Sequence, residues 1–191
     1  MKCRSVYRFL IVCAIFSATS VVADEQQLIE QMKSGNVVLM IRHANAPGMG
    51  DPANFDVNDC TTQRNLDDTG REQAKEIGRW LRDHNIQTAK LYSSQWCRCL
   101  ETARLMQMGA VTPLPILNSF YQQPEHREPR LMAIRKFIQE NTKPGELLIM
   151  VTHQVTISGI TGKWTDSGEG KLIQADKAGN IRMLGELDFK D

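Results

Sequence analysis

Two short, unbroken apolar runs, Val37-Val38-Leu39-Met40-Ile41 and Leu147-Leu148-Ile149-Met150-Val151, end abruptly on Arg42-His43 and Thr152-His153. Runs of this length without alternation are expected for strands buried on both faces, as in a parallel sheet sandwiched between helices. The segments around them alternate helix and strand. Glu25 to Lys33 reads as a short helix closed by Gly35. Ala74, Ile77, Gly78 and Leu81 recur at helical spacing through about His84, behind a Thr69-Gly70-Arg71-Glu72 capping-box pattern. Lys90 to Ser93 is a short strand, and Ser94 is the expected cap of a helix from Gln95 to Met106. After a loop with Pro113 and Pro115, a helix runs from about Pro129 to Asn141 and is broken by Lys143-Pro144-Gly145. Lys171 to Ala175 and Ile181 to Leu187, joined around Gly179-Asn180, form a closing hairpin. With a further helix after His153, this order predicts a three-layer α/β/α sandwich with a mostly parallel central sheet. No repeat or linker interrupts it, so residues 24–191 are expected to form one domain.

The amino terminus has a different character. Lys2, Arg4 and Arg8 precede an apolar stretch from Phe9 to Val22, and Val21-Val22-Ala23 resembles a small-residue cleavage site. Residues 1–23 therefore read as a signal peptide, and the remainder as exported and periplasmic, with no stable membrane insertion once the signal is cleaved. The alternative is a retained anchor, for which the apolar stretch falls short of the ~20 residues a span needs. Cleavage leaves 168 residues and removes three cations, taking the formal charge from +1 to about −2. A nucleic-acid partner would call for a basic field, so any positive potential here must be local to a pocket. Cys60, Cys97 and Cys99 stay with the domain, and an oxidising compartment favours one bridge. Positions two apart on a helix point away from each other, so Cys60 pairs with Cys97 or Cys99. Cys97 is favoured because Cys99 suits the helix–sheet interface. The pair would tie the long Gly/Pro/Asn/Asp-rich loop, residues 44–66, which begins at the proposed site and is expected to lie ordered over it.

Ligands of open α/β sheets bind beyond the carboxyl ends of the strands. The two apolar runs deliver Arg42, His43 and His153 there, and Arg98 lies on the helix after a third strand. Attack on a phosphate monoester needs an unprotonated nucleophile, which a neutral imidazole supplies when its other nitrogen is fixed by a hydrogen bond. The phosphoryl oxygens need fixed cationic donors, and the planar, always-charged arginine fork matches their geometry.

Four ordered blocks carry a family resemblance. Ile41-Arg42-His43-Ala44 is similar to the Arg-His-Gly/Ala signature of the histidine phosphatase superfamily, the phosphoglycerate mutase-like fold. Asn65 to Ala74 resembles that family's Leu-Thr-x-x-Gly-x-x-Gln-Ala helix start, and Leu91 to Ala103 its Ser-x-x-x-x-Arg-x-x-x-Thr-Ala segment. Val151-Thr152-His153-Gln154 resembles its closing Val-x-His segment. The resemblance implies a metal-independent phosphatase without a cofactor, acting on a small phosphorylated substrate, either a phosphate monoester or a phosphoramidate. It implies that His43 is the nucleophile, transiently phosphorylated, and that Arg42, Arg98 and His153 bind the phosphoryl group, with His153 protonated beside that dianion. Asn45 could add a neutral donor, or serve only as a loop-turn residue.

One departure from the family pattern bears on mechanism. Many members carry an acidic proton donor where this chain reads Leu117-Asn118-Ser119-Phe120-Tyr121, without a carboxylate. Glu125 and Glu128 follow, with Glu125 the preferred acid. The missing carboxylate keeps open a catalytically silent phosphate- or phosphosugar-binding protein on the same fold, and a mutase fits the small chain less well. His84 reads as a helix C-terminal cap and His126 as a surface residue, while Trp96 and Trp164 read as packing residues. A metal hydrolase is disfavoured, because the four histidines lack short ligand spacings and Arg42 beside His43 would repel a cation. The sequence leaves the oligomeric state open.

Overall fold

The computed structural model describes residues 25–189, so the segment assigned to export lies outside the described residues. Among the described residues no helix is long and apolar enough to cross a membrane. Five helices, α1 (Glu25–Ser34), α2 (Asp68–Asp83), α3 (Cys97–Met106), α4 (Arg127–Asn141) and α5 (Gln154–Thr161), flank six strands. The strands are β1 (Val37–Arg42), β2 (Lys90–Ser93), β3 (Val111–Pro113), β4 (Leu147–Thr152), β5 (Gly170–Ala175) and β6 (Ile181–Leu187). They form one sheet in the order β3-β2-β4-β1-β5-β6. β3, β2, β4 and β1 run parallel to one another, β5 is antiparallel to β1, and β6 is antiparallel to β5. The mixed three-layer architecture anticipated from the element order is therefore the observed one.

The unbroken apolar runs have a direct structural cause. Alternate side chains of a strand point to opposite faces, and here both faces are covered. Val37, Leu39 and Ile41 join Leu28 of α1, Ile77 of α2 and Ala103 of α3 in one core. Val38 and Met40 join Ile134 of α4 and Ile157 of α5 in the other. In the β1–β4 register Arg42 stands opposite Thr152. The next residues, His43 and His153, thus emerge side by side, with His43 N–H donating to the Thr152 carbonyl at 3.0 Å.

Several boundaries differ from the sequence pattern. Asp67, not Thr69, caps α2, accepting from the Gly70 N–H at 2.7 Å. Glu72 instead pairs with Lys75 on the exposed face. Asp67 prevails because its other oxygen also accepts from Asn45, so one carboxylate closes the helix and pins the long loop. Gly70 is required there for another reason: a Cβ would come within 2.0 Å of the Asn45 carbonyl oxygen. α3 starts at Cys97 rather than Gln95, and its N-cap Trp96, whose indole offers no acceptor, makes no side-chain cap bond; the Ser94 hydroxyl meets His153 and also accepts from the Trp96 N–H at 3.3 Å. α4 starts two residues before Pro129, which sits within the first turn, where its missing N–H is tolerated. The edge strand β3 was not anticipated; it is three residues long and ends on a proline, which only an edge accommodates.

The long loop is ordered by two kinds of anchor. Cys60 and Cys97 form a disulfide with Cα atoms 5.7 Å apart, leaving Cys99 free and buried. The Gln63 side chain also accepts from the Cys97 N–H at 2.9 Å. Closing a 37-residue separation is expected to contribute about 3 to 4 kcal/mol. Cys60→Ser/Cys97→Ser should lose that amount in urea unfolding at neutral pH, and unchanged stability would contradict a structural role for the bridge.

Candidate active site

The carboxyl ends of β1, β4 and β2 border a cavity of about 380 Å³ that contacts Arg42, His43, Arg98 and His153 together. His43 and His153 meet edge to face, with ring centroids 5.6 Å apart. Both imidazoles are almost fully buried. His43 Nδ1 lies 2.8 Å from the carbonyl oxygen of Ala44. A carbonyl can only accept, so Nδ1 carries the proton and Nε2 keeps a free lone pair. Burial, then the Arg98 charge, presses the His43 pKa well below 6.5, and the same two influences act on His153. Both rings are therefore neutral at pH 7. This is the state of His153 without the dianion beside which the resemblance implies a protonated ring. Its Nε2 is 2.9 Å from Ser94 Oγ and 3.6 Å from Cys99 Sγ. Burial pushes the Cys99 thiol up to about 12, so it remains protonated.

The cationic floor is richer than the sequence motifs suggested. Arg64 lines the cavity with Arg42 and Arg98, anchored through the carbonyls of Ala46 and Gly50. It lay unnoticed in the loop because nothing local marks it; only the chain path from β1 to α2 folds it back. Asp51 was equally invisible. Its nearly buried carboxylate takes a paired hydrogen bond from Arg98, Nη1 to Oδ1 at 2.6 Å and Nη2 to Oδ2 at 3.0 Å. Trp96 Nε1 donates to the same carboxylate at 3.0 Å. Burial alone would raise the Asp51 pKa, but the hydrogen bonds and charge of Arg98 outweigh it and hold the group ionised. Three guanidinium groups against one carboxylate, with neutral imidazoles, leave two net positive charges. That balance suits a dianion.

The Nη edge of Arg98 is filled by Asp51, while its Nε–H is buried without a protein acceptor, and so is that of Arg42. Arg42 is otherwise held by one bond, Nη1 to the Thr165 carbonyl at 3.0 Å. Its pKa is lowered by burial, with Asp166 opposing. Buried donors without acceptors are uncommon in folded proteins, and both of these belong to arginines that line the cavity. The start of α5, at Gln154 and Val155, also lines the cavity and adds the positive end of a helix dipole.

Two of the predicted site residues do not join this group. Asn45 turns away: its amide donates to Asp67 at 2.9 Å, so it acts as a loop pin. Glu125 lies on an exposed 3-10 turn, 4.0 Å from the equally exposed His126, and does not line the cavity. The Pro-flanked segment carries its carboxylate outward instead of over the pocket. Asp51 is the cavity's sole lining carboxylate among the described residues. Trp96 packs as expected, stacked on Phe55 and edge-on to His153. Trp164 does not; it is 66 % exposed at the cavity mouth. His84 ends α2 with Nδ1 2.8 Å from the Trp80 carbonyl oxygen.

A family model matches part of the sequence, and solved structures match the fold. Residues 38–120 match the family model for the histidine phosphatase superfamily, branch 1. No curated protein sequence matches the chain. Among solved structures, the fold is similar to the protein histidine phosphatase SixA complexed with tungstate, at 13 % identity and TM-score 0.59, covering 80 % of this chain and 97 % of that one. It is similar to a phosphoserine phosphatase mutant from Entamoeba histolytica, at 11 % identity and TM-score 0.59, covering 81 % and 98 %. The alpha-ribazole phosphatase from Shigella flexneri aligns at 16 % identity and TM-score 0.55, covering 77 % and 94 %. At such identities the structural likeness is one of fold.

Two outcomes follow from the electrostatics. Removing one partner of a buried ion pair strands the other charge, so Asp51→Ala should cost about 3 to 5 kcal/mol in chemical denaturation. The double variant Asp51→Ala/Arg98→Met should cost less than Asp51→Ala alone. Unfolded histidines protonate below pH 6.5 while His43 and His153 stay neutral in the fold. The unfolded state then binds more protons, so stability should be fullest above pH 6.5 and decline below it, by up to about 1.4 kcal/mol per pH unit per histidine. Imidazole proton shifts of His43 and His153 that titrate near pH 6.5 or above would contradict this.

Proposed function

We propose, from the match of residues 38–120 to the family model of the histidine phosphatase superfamily, that this chain is a metal-independent phosphatase working through a phosphohistidine on His43. The observation that carries this reading is the Ala44 carbonyl on His43 Nδ1, which leaves Nε2 as the unprotonated atom in a buried, cationic cavity. The phosphoryl group of a monoester or phosphoramidate is received by Arg42, Arg64 and Arg98 and by His153, whose pKa rises once the dianion is bound. His43 Nε2 attacks phosphorus in line, forming the N–P bond as the bond to the leaving group breaks, with the electron pair departing on that group. Water then attacks phosphorus from the vacated side. The N–P bond breaks, its electron pair returns to Nε2, and the water proton passes to the departed oxygen or nitrogen. Asp51, held ionised by Arg98, orients that arginine and is no proton donor.

Export belongs to the same proposal. The apolar leader in residues 1–23 and the Cys60–Cys97 bridge suit an oxidising, periplasmic setting. A silent phosphate-binding protein remains the competing reading, supported by the outward position of Glu125.

Hydrolysis of p-nitrophenyl phosphate separates the two. The wild type should turn over, His43→Ala should lose roughly 10⁴-fold or more in kcat/KM, and acid-labile phosphate should be trapped on His43. Arg98→Lys, which keeps the charge but loses the paired fork, should lose roughly 100-fold. Binding of phosphate without turnover by the wild type would favour the silent reading.

A further inference from the structure

Above its charged floor the cavity changes character. Phe55 and Trp96 stack into one wall, with ring centroids 4.8 Å apart and planes inclined by 24°. Met49, Tyr121 and Trp164 stand at the mouth, 88 %, 56 % and 66 % exposed. Among the described residues Met132 is the sole other large apolar side chain so exposed, so three of the four gather around this one opening. Exposed apolar groups clustered at a cavity mark a surface that meets a ligand or partner. The two sides of the mouth touch, with the Tyr121 hydroxyl 3.7 Å from the Met49 sulfur.

The polar lining carries the second half of the argument. Every charged side chain lining the cavity, Arg42, Asp51, Arg64 and Arg98, belongs to the phosphate-binding floor. The remaining non-histidine polar lining is neutral: Ser119, Gln122, Gln123 and Gln154. Nothing there pairs with a second phosphate, a carboxylate or an ammonium group on the leaving group. The mouth therefore offers a charged leaving group no ion-pair partner, while its apolar and aromatic side chains offer an uncharged ring contact area.

Resting on the phosphatase reading above, we propose that the substrate is a phosphate ester whose leaving group is neutral and aromatic, its ring lying among Phe55, Trp96, Tyr121 and Trp164. The chemistry of departure agrees with an aryl ester over an alkyl one. No lining carboxylate is free to donate a proton, since Asp51 is committed to Arg98. A phenolate, whose conjugate acid ionises near ~10, departs without such help far more readily than an alkoxide. As the N–P bond to His43 forms and the aryl O–P bond breaks, the aryl oxide leaves with the electron pair and takes its proton from water.

Non-hydrolysable phosphonates test this without requiring turnover. Binding to the full oxidised chain is measured by calorimetry for methylphosphonate, naphthylmethylphosphonate and 2-amino-4-phosphonobutanoate. The naphthyl compound should bind at least about tenfold more tightly than methylphosphonate, and the amino-acid phosphonate no more tightly than methylphosphonate. Trp164→Ala and Tyr121→Ala should each shrink the naphthyl preference about threefold or more, with Trp164→Phe restoring most of it. Equal binding of the three, tighter binding of the charged compound, or a preference untouched by all the variants would overturn the proposal. So would a wild-type dimer in sedimentation that Trp164→Ala dissociates while the preference stays, since the mouth would then be an interface between copies. Should the naphthyl preference hold while no ester is hydrolysed, the catalytic reading fails and the aromatic subsite stands. No binding of any phosphonate would overturn both.

Discussion

Three guanidinium groups and two buried imidazoles crowd the floor of one cavity, and the carboxylate of Asp51 is what lets them coexist. Like charges that close together repel strongly where water is scarce, and a buried arginine needs a partner to be tolerated at all. The paired bond from Arg98 to Asp51 meets that need on one edge of the guanidinium and leaves the Nε–H without a protein acceptor. The pair therefore does two things at once. It compensates part of the positive charge, and it fixes the orientation of the most deeply buried arginine before any ligand arrives. A preset donor has no reorganisation to undergo when charge develops on a phosphoryl oxygen.

The sheet supplies the other half of that preorganisation. β1 and β4 are adjacent and parallel, and their register ends Arg42 against Thr152, so the two histidines leave the sheet together. The backbone then sets the protonation pattern: the Ala44 carbonyl accepts a hydrogen bond from the Nδ1–H of His43, and burial with the surrounding arginines keeps both rings neutral. Ser94, one residue beyond β2, reaches the second imidazole. Its hydroxyl also accepts from the Trp96 N–H at the entry to α3, so one side chain serves the helix start and the contact across the sheet.

The long loop has to be rigid for any of this to work, because it carries Asp51, Phe55 and Arg64. Asn45 is pinned at its start by Asp67, and the Cys60–Cys97 bridge pins it near its end to the helix bearing Arg98. The disulfide therefore braces the segment that aligns the ion pair, and its contribution extends beyond the entropy of the unfolded chain.

Much of this was legible along the chain, and the boundary falls where physics would put it. Periodicity and burial act locally, so the two apolar runs, the helical face of α2 and the closing hairpin showed through, and with them the layered fold. Arg42, His43, Arg98 and His153 stood out because strand ends and a helix start mark positions that a sheet must bring together. Asp51 and Arg64 did not, because an irregular loop has no period from which the direction of a side chain can be read. For the same reason Glu125 could be named only as a candidate acid and Asn45 only as a candidate donor; one faces solvent and the other holds a helix cap. Sequence alone determined which elements form and which edge of the sheet carries the chemistry. Tertiary structure decided the ion pair, the tautomer of His43, the neutrality of His153 and the aromatic mouth, since each depends on atoms distant in the chain meeting within a few ångströms.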